Sequence, residues 1–244
     1  MKKLVVCDFD GTLKPYESEA VSDKVKAQLD ALLEKGVEIA VSSGRTYGEL
    51  ISYLPEYADR IWFICNDGAC YLKCGRVLYE RGIERADLLR LADCAAGSFR
   101  IYHGATENYS FGAVPVNYQA LFAPRAVTNP YLIRERIFKI TSVGERLSLD
   151  GSGLRVHWEQ GCEEAAQMVN RFANKGTALS DLQTRLMLTK YDTVCIGDAA
   201  NDLPMMRGAV RSFCIGNRSA ILEAACTDHA RDVVEALDAC LQIL

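Results

Sequence analysis

Short apolar runs with no polar alternation recur along the chain, and each breaks off at a polar or charged residue. LVVC at 4 to 7 gives way to Asp8, and VEIAVS at 37 to 42 gives way to Ser43, Gly44 and Arg45. IWFIC at 61 to 65 ends in Asn66, Asp67 and Gly68, and DTVCIG at 192 to 197 ends in Asp198. Runs of this length and uniformity predict strands of a parallel sheet, which are buried on both faces. Helical spacing separates them. Ser22 and Asp23 open one helix, Val25, Leu29, Leu32 and Leu33 fall at helical spacing, and Gly36 supplies the stop. A second helix is expected to begin near Thr46, and YLKCGRVLYE reads as a hairpin about a Cys-Gly turn. The alternation resumes after Lys175. GTALSDLQTRLML, NDLPMM, SAILEAA and RDVVEALDACL are predicted helices, with DTVCIG and SFCIG as strands between them.

Between these flanks the alternation is lost. ERADLLRLADCAA is an amphipathic helix candidate, while FRIYHG, IFKITSV and LRVHWEQ read as strands. Residues 104 to 130 read as irregular, rich in Gly, Asn and Pro, and 163 to 170 fits a strand or a helix. The pattern predicts an α/β fold: a doubly wound, Rossmann-like parallel sheet core made by residues 1–80 and 171–244. An α/β domain over 81–170 interrupts it.

A length of 244 residues allows one sizeable core plus such an insertion. The net charge of −4 leaves no basic footprint, so no nucleic-acid partner is expected. No apolar run approaches the roughly 20 residues that cross a bilayer, so no membrane partner is expected either. MKKLVVC runs straight into Asp8 without the apolar region of a signal peptide, and the protein is expected to be cytoplasmic. The ten cysteines contain no C-x-x-C pair, and no second pair accompanies Cys70 and Cys74 to complete a zinc site. Cys7, Cys65, Cys195 and Cys214 lie inside apolar runs and are expected as reduced core thiols.

The chemistry gathers where strands end. In Asp8-Phe9-Asp10-Gly11-Thr12 two carboxylates leave the sheet almost together, at the edge where doubly wound folds bind ligands. Alone, such a pair fits a solvated acidic turn equally well. Ser43 follows within SSGR, Lys175 stands before a helix in NKGTAL, and Asp198, Asn201 and Asp202 lie in GDAAND after a strand. These four segments, in this order, resemble the four motifs of the haloacid dehalogenase superfamily. The insertion lies between the second and third of them. Together with NDGA at 66 to 69, this resembles the Cof-like subfamily IIB, whose members carry an α/β cap. That branch usually has Asn-Gly-Ala where this chain has Asp67-Gly68-Ala69, and often Thr at the Ser43 position. Serine keeps the hydroxyl, whereas Asp67 puts a carboxylate where the branch has an amide.

The resemblance implies a role for each residue. Asp8 would be the nucleophile, and Asp10 the acid and base that serves the leaving oxygen and then the attacking water. Ser43 and Lys175 would contact the transferring oxygens, with backbone N–H groups around Phe9, Asp10 and Gly44. Mg²⁺ would be held by Asp8, Asp198 and the backbone carbonyl of Asp10, with Asp202 orienting its water or Lys175. Asn201 would contact phosphate or substrate. Asn201 and Asp202 also fit a helix N-cap before LPMM. Arg45 is a specificity candidate at the cleft or a salt bridge holding its loop. In the cap, His103, Tyr118, Arg155 and His157 either face the substrate or serve as ordinary cap residues. The function implied is a Mg²⁺-dependent phosphatase of small phosphorylated metabolites, sugar phosphates foremost, acting through an aspartyl-phosphate. A phosphomannomutase-like mutase shares the motif set and cap type, and a non-catalytic binding or regulatory protein could reuse the scaffold.

Overall fold

The computed structural model describes residues 2–93, 99–111, 114–143, 156–159 and 165–244. The chain first lays down β1 (Leu4–Asp8), α1 (Asp23–Glu34), β2 (Glu38–Ser42), α2 (Tyr47–Tyr53) and β3 (Trp62–Cys65). The hairpin β4 (Cys70–Lys73) and β5 (Arg76–Glu80) follows. Next come α3 (Arg85–Asp93), β6 (Phe99–His103), β7 (Asn108–Phe111), α4 (Val116–Phe122) and β8 (Arg125–Val127). Three further strands complete this part: β9 (Lys139–Val143), β10 (Val156–Glu159) and β11 (Ala165–Asn170). The last part comprises α5 (Lys175–Leu186), β12 (Thr193–Gly197), α6 (Leu203–Met206) and β13 (Arg211–Ile215). It closes with α7 (Ala220–Ala225), β14 (Asp228–Ala230) and α8 (Val233–Ile243).

Two sheets result. The first has the order β14-β13-β12-β1-β2-β3-β4-β5, and the second β10-β11-β9-β6-β7-β8. In the first, strands β14 through β3 run parallel and β4 and β5 are antiparallel. Alternation along β1 sends its side chains to both faces. Val5 and Cys7 pack with Leu29 and Leu32 of α1 and with Leu237 and Cys240 of α8. Leu4 and Val6 pack with Leu179 and Leu182 of α5 and with Met205 of α6. Full burial of a valine or leucine side chain contributes about 1.5–3 kcal/mol, so an uncovered face would be costly. That double cover is why β1 holds no polar residue before Asp8, at its carboxyl end. The helices start on their own side chains: Ser22 Oγ accepts from Val25 N at 3.3 Å, and Thr46 and Glu49 form a capping box for α2.

The second sheet is drawn wholly from residues 99–170. On one face Tyr102, Ile140 and Met168 pack against Leu88 and Leu91 of α3. On the other, Ile101 meets Tyr118 of α4, beside Phe99 and Phe122. Residues 104 to 130 are therefore not irregular as the sequence pattern predicts, since they hold β7, α4 and β8. These elements are three to seven residues long, too short for a period to register. β7 is fixed by backbone pairing to β6, and β8 by pairing to β7. The ambiguous stretch at 163 to 170 contributes a strand, β11, paired antiparallel with both β9 and β10. β14, only three residues of edge strand, is not predicted by the pattern at all. Eight cysteines are free thiols, among them buried Cys7, Cys65, Cys195 and Cys214, while Cys94 and Cys162 lie outside the described residues. No helix of the described residues is long and apolar enough to cross a membrane.

Candidate active site

Asp8, at the end of β1, stands beside Ser42 of β2 in the parallel ladder. The chain then turns through Gly11, where φ is +89°. A Cβ there would sit 2.4 Å from Asp198 Oδ2, so only glycine lets the Asp198 carboxylate approach the turn. Thr12 Oγ1 donates to Asp198 Oδ1 at 3.2 Å and ties the two segments together.

Lys175 reaches this point from the first residue of α5, whose start is fixed by Asn174 and Thr177 in a reciprocal cap. Its Nζ lies 2.5 Å from Asp8 Oδ1 and 2.6 Å from Asp202 Oδ1. Asp202 Oδ2 accepts from the backbone N–H groups of Asp198 and Ala199, each at 3.1 Å. Both Asp202 oxygens are thus engaged, and its side chain does not cap α6. Asp8, Asp198 and Asp202 are all buried and can bring one oxygen each within 4.8 Å of one another.

Burial shifts the proton equilibria of Asp8 and Asp198. Desolvation, then the Asp202 charge, pushes Asp8 well above the usual carboxylate range, with Lys175 opposing. Desolvation and Asp202 likewise push Asp198 up to about 6, against the pull of the Thr12 hydrogen bond and Lys175. Burial works against the Lys175 charge, but Asp202 and Asp8 outweigh it and hold the ammonium protonated above the ordinary lysine range. Two oxygens of this cluster make no hydrogen bond despite full burial, Asp8 Oδ2 and Asp198 Oδ2, the latter lying 4.0 Å from Arg218 Nε in an ion pair. Buried carboxylate oxygens that accept no hydrogen bond are costly, and a hard divalent cation with oxygen preference fits them.

Around this centre, Ser43 is buried, and its Oγ accepts from Arg45 N at 3.1 Å. Arg45 holds Asp10 by two bonds, Nε to Oδ2 at 2.8 Å and Nη2 to Oδ1 at 2.9 Å. The guanidinium lies over the rings of Phe9 and Tyr53, at 5.6 and 5.2 Å from their centroids. The Phe9 side chain is buried in the main core, so only its backbone can serve the site. Asn201 is half-buried on the short turn between Asp198 and Asp202.

The cap candidates fare differently. His103 is fully buried, with Nδ1 2.6 Å from Asn108 Oδ1 and Nε2 2.7 Å from Thr141 Oγ1. Burial, then the Lys139 charge, holds its pKa well below the ordinary histidine value. Tyr118 packs against Phe99 and Phe122. His103 of β6 and Tyr118 of α4 are both buried. Arg155 and the side chain of His157 lie outside the described residues. Lys139 of β9, whose Nζ reaches the Gly44 carbonyl and Asp67, escapes the sequence reading. Its signal was a lone charge inside the apolar run IFKITSV.

The eight-stranded sheet thus carries a buried cluster of three aspartates, joined by Lys175, beside the carboxyl ends of its central parallel strands. Residues 5–120 and 133–237 match the model of the haloacid dehalogenase-like hydrolases. The chain belongs to this family, and is a phosphatase of its Cof-like branch.

Named relatives agree. The chain is 22% identical to 5-amino-6-(5-phospho-D-ribitylamino)uracil phosphatase YbjI of Escherichia coli, an alignment covering 91% of this chain and 88% of the relative. It is 23% identical to the HMP-PP phosphatase of Citrobacter koseri, covering 89% and 85%. A haloacid dehalogenase-like hydrolase from Bacteroides thetaiotaomicron shares the fold at a TM-score of 0.86 and 20% identity, over 98% of this chain and all of that one. The subclass IIB sugar phosphatase BT4131 does so at 0.80 and 17%, over 98% of each.

Proposed function

We propose that this phosphatase hydrolyses phosphate monoesters of small metabolites, sugar phosphates foremost, with Mg²⁺ as its cofactor. The observation that carries the reading is the buried cluster of Asp8, Asp198 and Asp202 around Lys175, in which Asp8 Oδ2 and Asp198 Oδ2 accept no hydrogen bond. Phosphate monoesters hydrolyse extremely slowly unaided, so both the nucleophile and the surrounding charge must be supplied. Held by Asp8, Asp198 and the Asp10 backbone carbonyl, a bound divalent cation would offset the repulsion between carboxylate and phosphate.

Asp8 attacks phosphorus and forms an aspartyl-phosphate as the ester oxygen departs. Lys175 fixes the Asp8 carboxylate through Oδ1 and stabilises charge on the transferring oxygens. Ser43 Oγ and the Gly44 N–H take the remaining phosphoryl oxygens. Asp10 gives a proton to the leaving oxygen and then takes one from the water that opens the acyl phosphate. Asp202, locked by Lys175 and two backbone donors, holds Lys175 in place. Residues 81–170 act as a cap that selects the leaving group. The named substrates of the relatives, a ribitylaminouracil phosphate and HMP-PP, support small phosphorylated metabolites as the class.

A panel of phosphorylated metabolites, assayed for released phosphate with Mg²⁺, tests the proposal. Sugar phosphates should lead the panel, and the Asp8→Asn variant should release phosphate from the same compounds about a thousandfold or more slowly. A purified, folded protein that leaves every ester intact, or that isomerises hexose phosphates without releasing phosphate, would overturn it.

A further inference from the structure

Lys139 extends from β9, a central strand of the second sheet, and is buried to 98%. Its Nζ donates to the Gly44 carbonyl, to Asp67 Oδ2 at 3.2 Å and to Gln167 Oε1 at 3.5 Å. Among the described residues, this is the ion pair that joins the second sheet to the first.

Asp67 sits in a strained loop. Asn66 and Asp67 are both left-handed, with φ of 52° and 57°, an uncommon conformation for residues with a side chain. The surroundings over-determine it. Asn66 N donates to Arg45 O at 2.9 Å, Asp67 N to Ser43 O at 3.0 Å, and Asn66 Nδ2 to the Gly104 carbonyl at 3.0 Å. The next residue, Gly68, presses on the start of α5, where a Cβ would come within 2.2 Å of Asn174 O and 2.7 Å of Lys175 N. One loop therefore touches both the Ser43–Arg45 turn and the backbone that carries Lys175. Lys139 grips that loop and that turn together.

We infer that Lys139 is a positioning residue of the phosphatase site: bridging the Gly44 carbonyl and Asp67, it aligns the Ser43–Arg45 turn when the second sheet sits on the first. The kinetic consequence rests on the function proposed above; the structural one does not. Asp67 has two roles in this arrangement. It supplies the counter-charge without which a buried ammonium would be prohibitively costly, and it passes the grip to Ser43 through its own backbone N–H.

Lys139→Met keeps the side-chain length and removes the bridge. It also strands the Asp67 carboxylate in a buried site, which lowers stability for a reason unrelated to positioning. The double variant Lys139→Met/Asp67→Asn removes that stranded charge. With p-nitrophenyl phosphate as substrate, both variants should lose kcat by about ten- to a hundredfold with KM changed far less, the scale expected for misplaced reacting groups. The melting temperature should fall in the single variant and recover in the double one. Recovery of kcat along with the melting temperature would reduce the pair to a structural contact and overturn the inference. Amide hydrogen exchange gives a readout independent of turnover. Ser43, Arg45, Asn66 and Asp67 should exchange faster in both variants, while the strands on either side of Asp8 stay protected. Unchanged exchange at those four amides would equally overturn it. If the wild-type protein released no phosphate from any ester, the phosphatase reading would fail and exchange would still decide this one.

Discussion

Arg45 grips both carboxylate oxygens of Asp10, with its Nε and Nη2 at 2.8 and 2.9 Å, while its guanidinium rests over Phe9 and Tyr53. A planar fork on a carboxylate is among the stronger and more directional side-chain contacts. It keeps Asp10 turned toward Arg45, with one lone pair of each carboxylate oxygen still free of the guanidinium. Of the two sequence readings of Arg45, this contact is the salt bridge, and its partner is the proposed proton carrier.

Replacing Arg45 by lysine keeps the charge and removes the fork. The loss in kcat/KM should be greater for a sugar phosphate than for p-nitrophenyl phosphate, by roughly tenfold, because the aryl leaving group departs without a proton. Steady-state rates on both esters measure the ratio. Equal losses would mean that Arg45 does not act through Asp10.

Asp8→Asn should lower kcat by about a thousandfold or more, as loss of a nucleophile does elsewhere. The amide is nearly isosteric, so circular dichroism and melting temperature should show a folded protein. Near-normal phosphate release from such a variant would remove Asp8 from the reaction.

The Asp198 shift makes a prediction about pH. Its folded pKa of about 6 lies above the unfolded value near 3.8. Between these values the metal-free native state holds a proton that the unfolded chain has released. The stabilisation from this group is therefore full below pH 4 and is lost as pH rises through 6. A divalent cation needs the ionised form, so its effect runs the other way. Mg²⁺ should raise the melting temperature markedly at pH 7.5 and little at pH 5, with protons released on binding near pH 6 and below but hardly at pH 7.5. Thermal shift and calorimetry in buffers of different ionisation enthalpy would show both. A Mg²⁺ shift that does not grow with pH would count against Asp198 as a ligand.

Mg²⁺ and Ca²⁺ should also differ. Calcium takes more oxygen ligands in a looser geometry and can occupy both oxygens of Asp8. Phosphate release should vanish on chelation, return with Mg²⁺ and be suppressed by added Ca²⁺. Equal rates with the two ions would contradict the placement of Asp8 as both ligand and nucleophile.

Excising residues 81–170 and joining the ends by a short linker tests the proposed cap. Asp8, Lys175, Asp198 and Asp202 all lie outside the excised part, so a folded core should keep its Mg²⁺-dependent thermal shift. Selectivity among sugar phosphates should flatten toward that of p-nitrophenyl phosphate. Undiminished selectivity would place recognition in the core.

What could be read from the sequence follows from how local each signal is. Asp8, Ser43, Lys175 and Asp198 each sit at the end of an apolar run or the start of a helix, so the chain itself marks them. The helix opened by Ser22 and the hairpin around Cys74 and Gly75 are local for the same reason. β7, α4 and β8 owe their existence to neighbours in the second sheet, and β14 to its register with β13. The partner of Asp67 stands 72 residues away, on an element whose position only the fold supplies. By sequence alone His103 reads as an available polar residue of the expected insertion. Its two ring nitrogens are in fact taken by Asn108 and by Thr141, the latter 38 residues along the chain.

The register irregularity between β4 and β5 has a consequence for self-association. β5 is an outer strand of the eight-stranded sheet, and a bare outer strand invites another chain to pair with it. Here Tyr71 pairs with Tyr79 and Leu72 with Val77, so Leu78 bulges out of the ladder. Its carbonyl is taken by Arg185 Nη2 of α5 at 2.9 Å, and the same guanidinium binds the Tyr71 hydroxyl through Nε at 2.8 Å. The opposite edge, β14, is three residues long, and its Asp228 is clamped by two bonds from Arg211. A bulge plugged by a cation at one border and a truncated strand at the other leave little template for edge-to-edge growth.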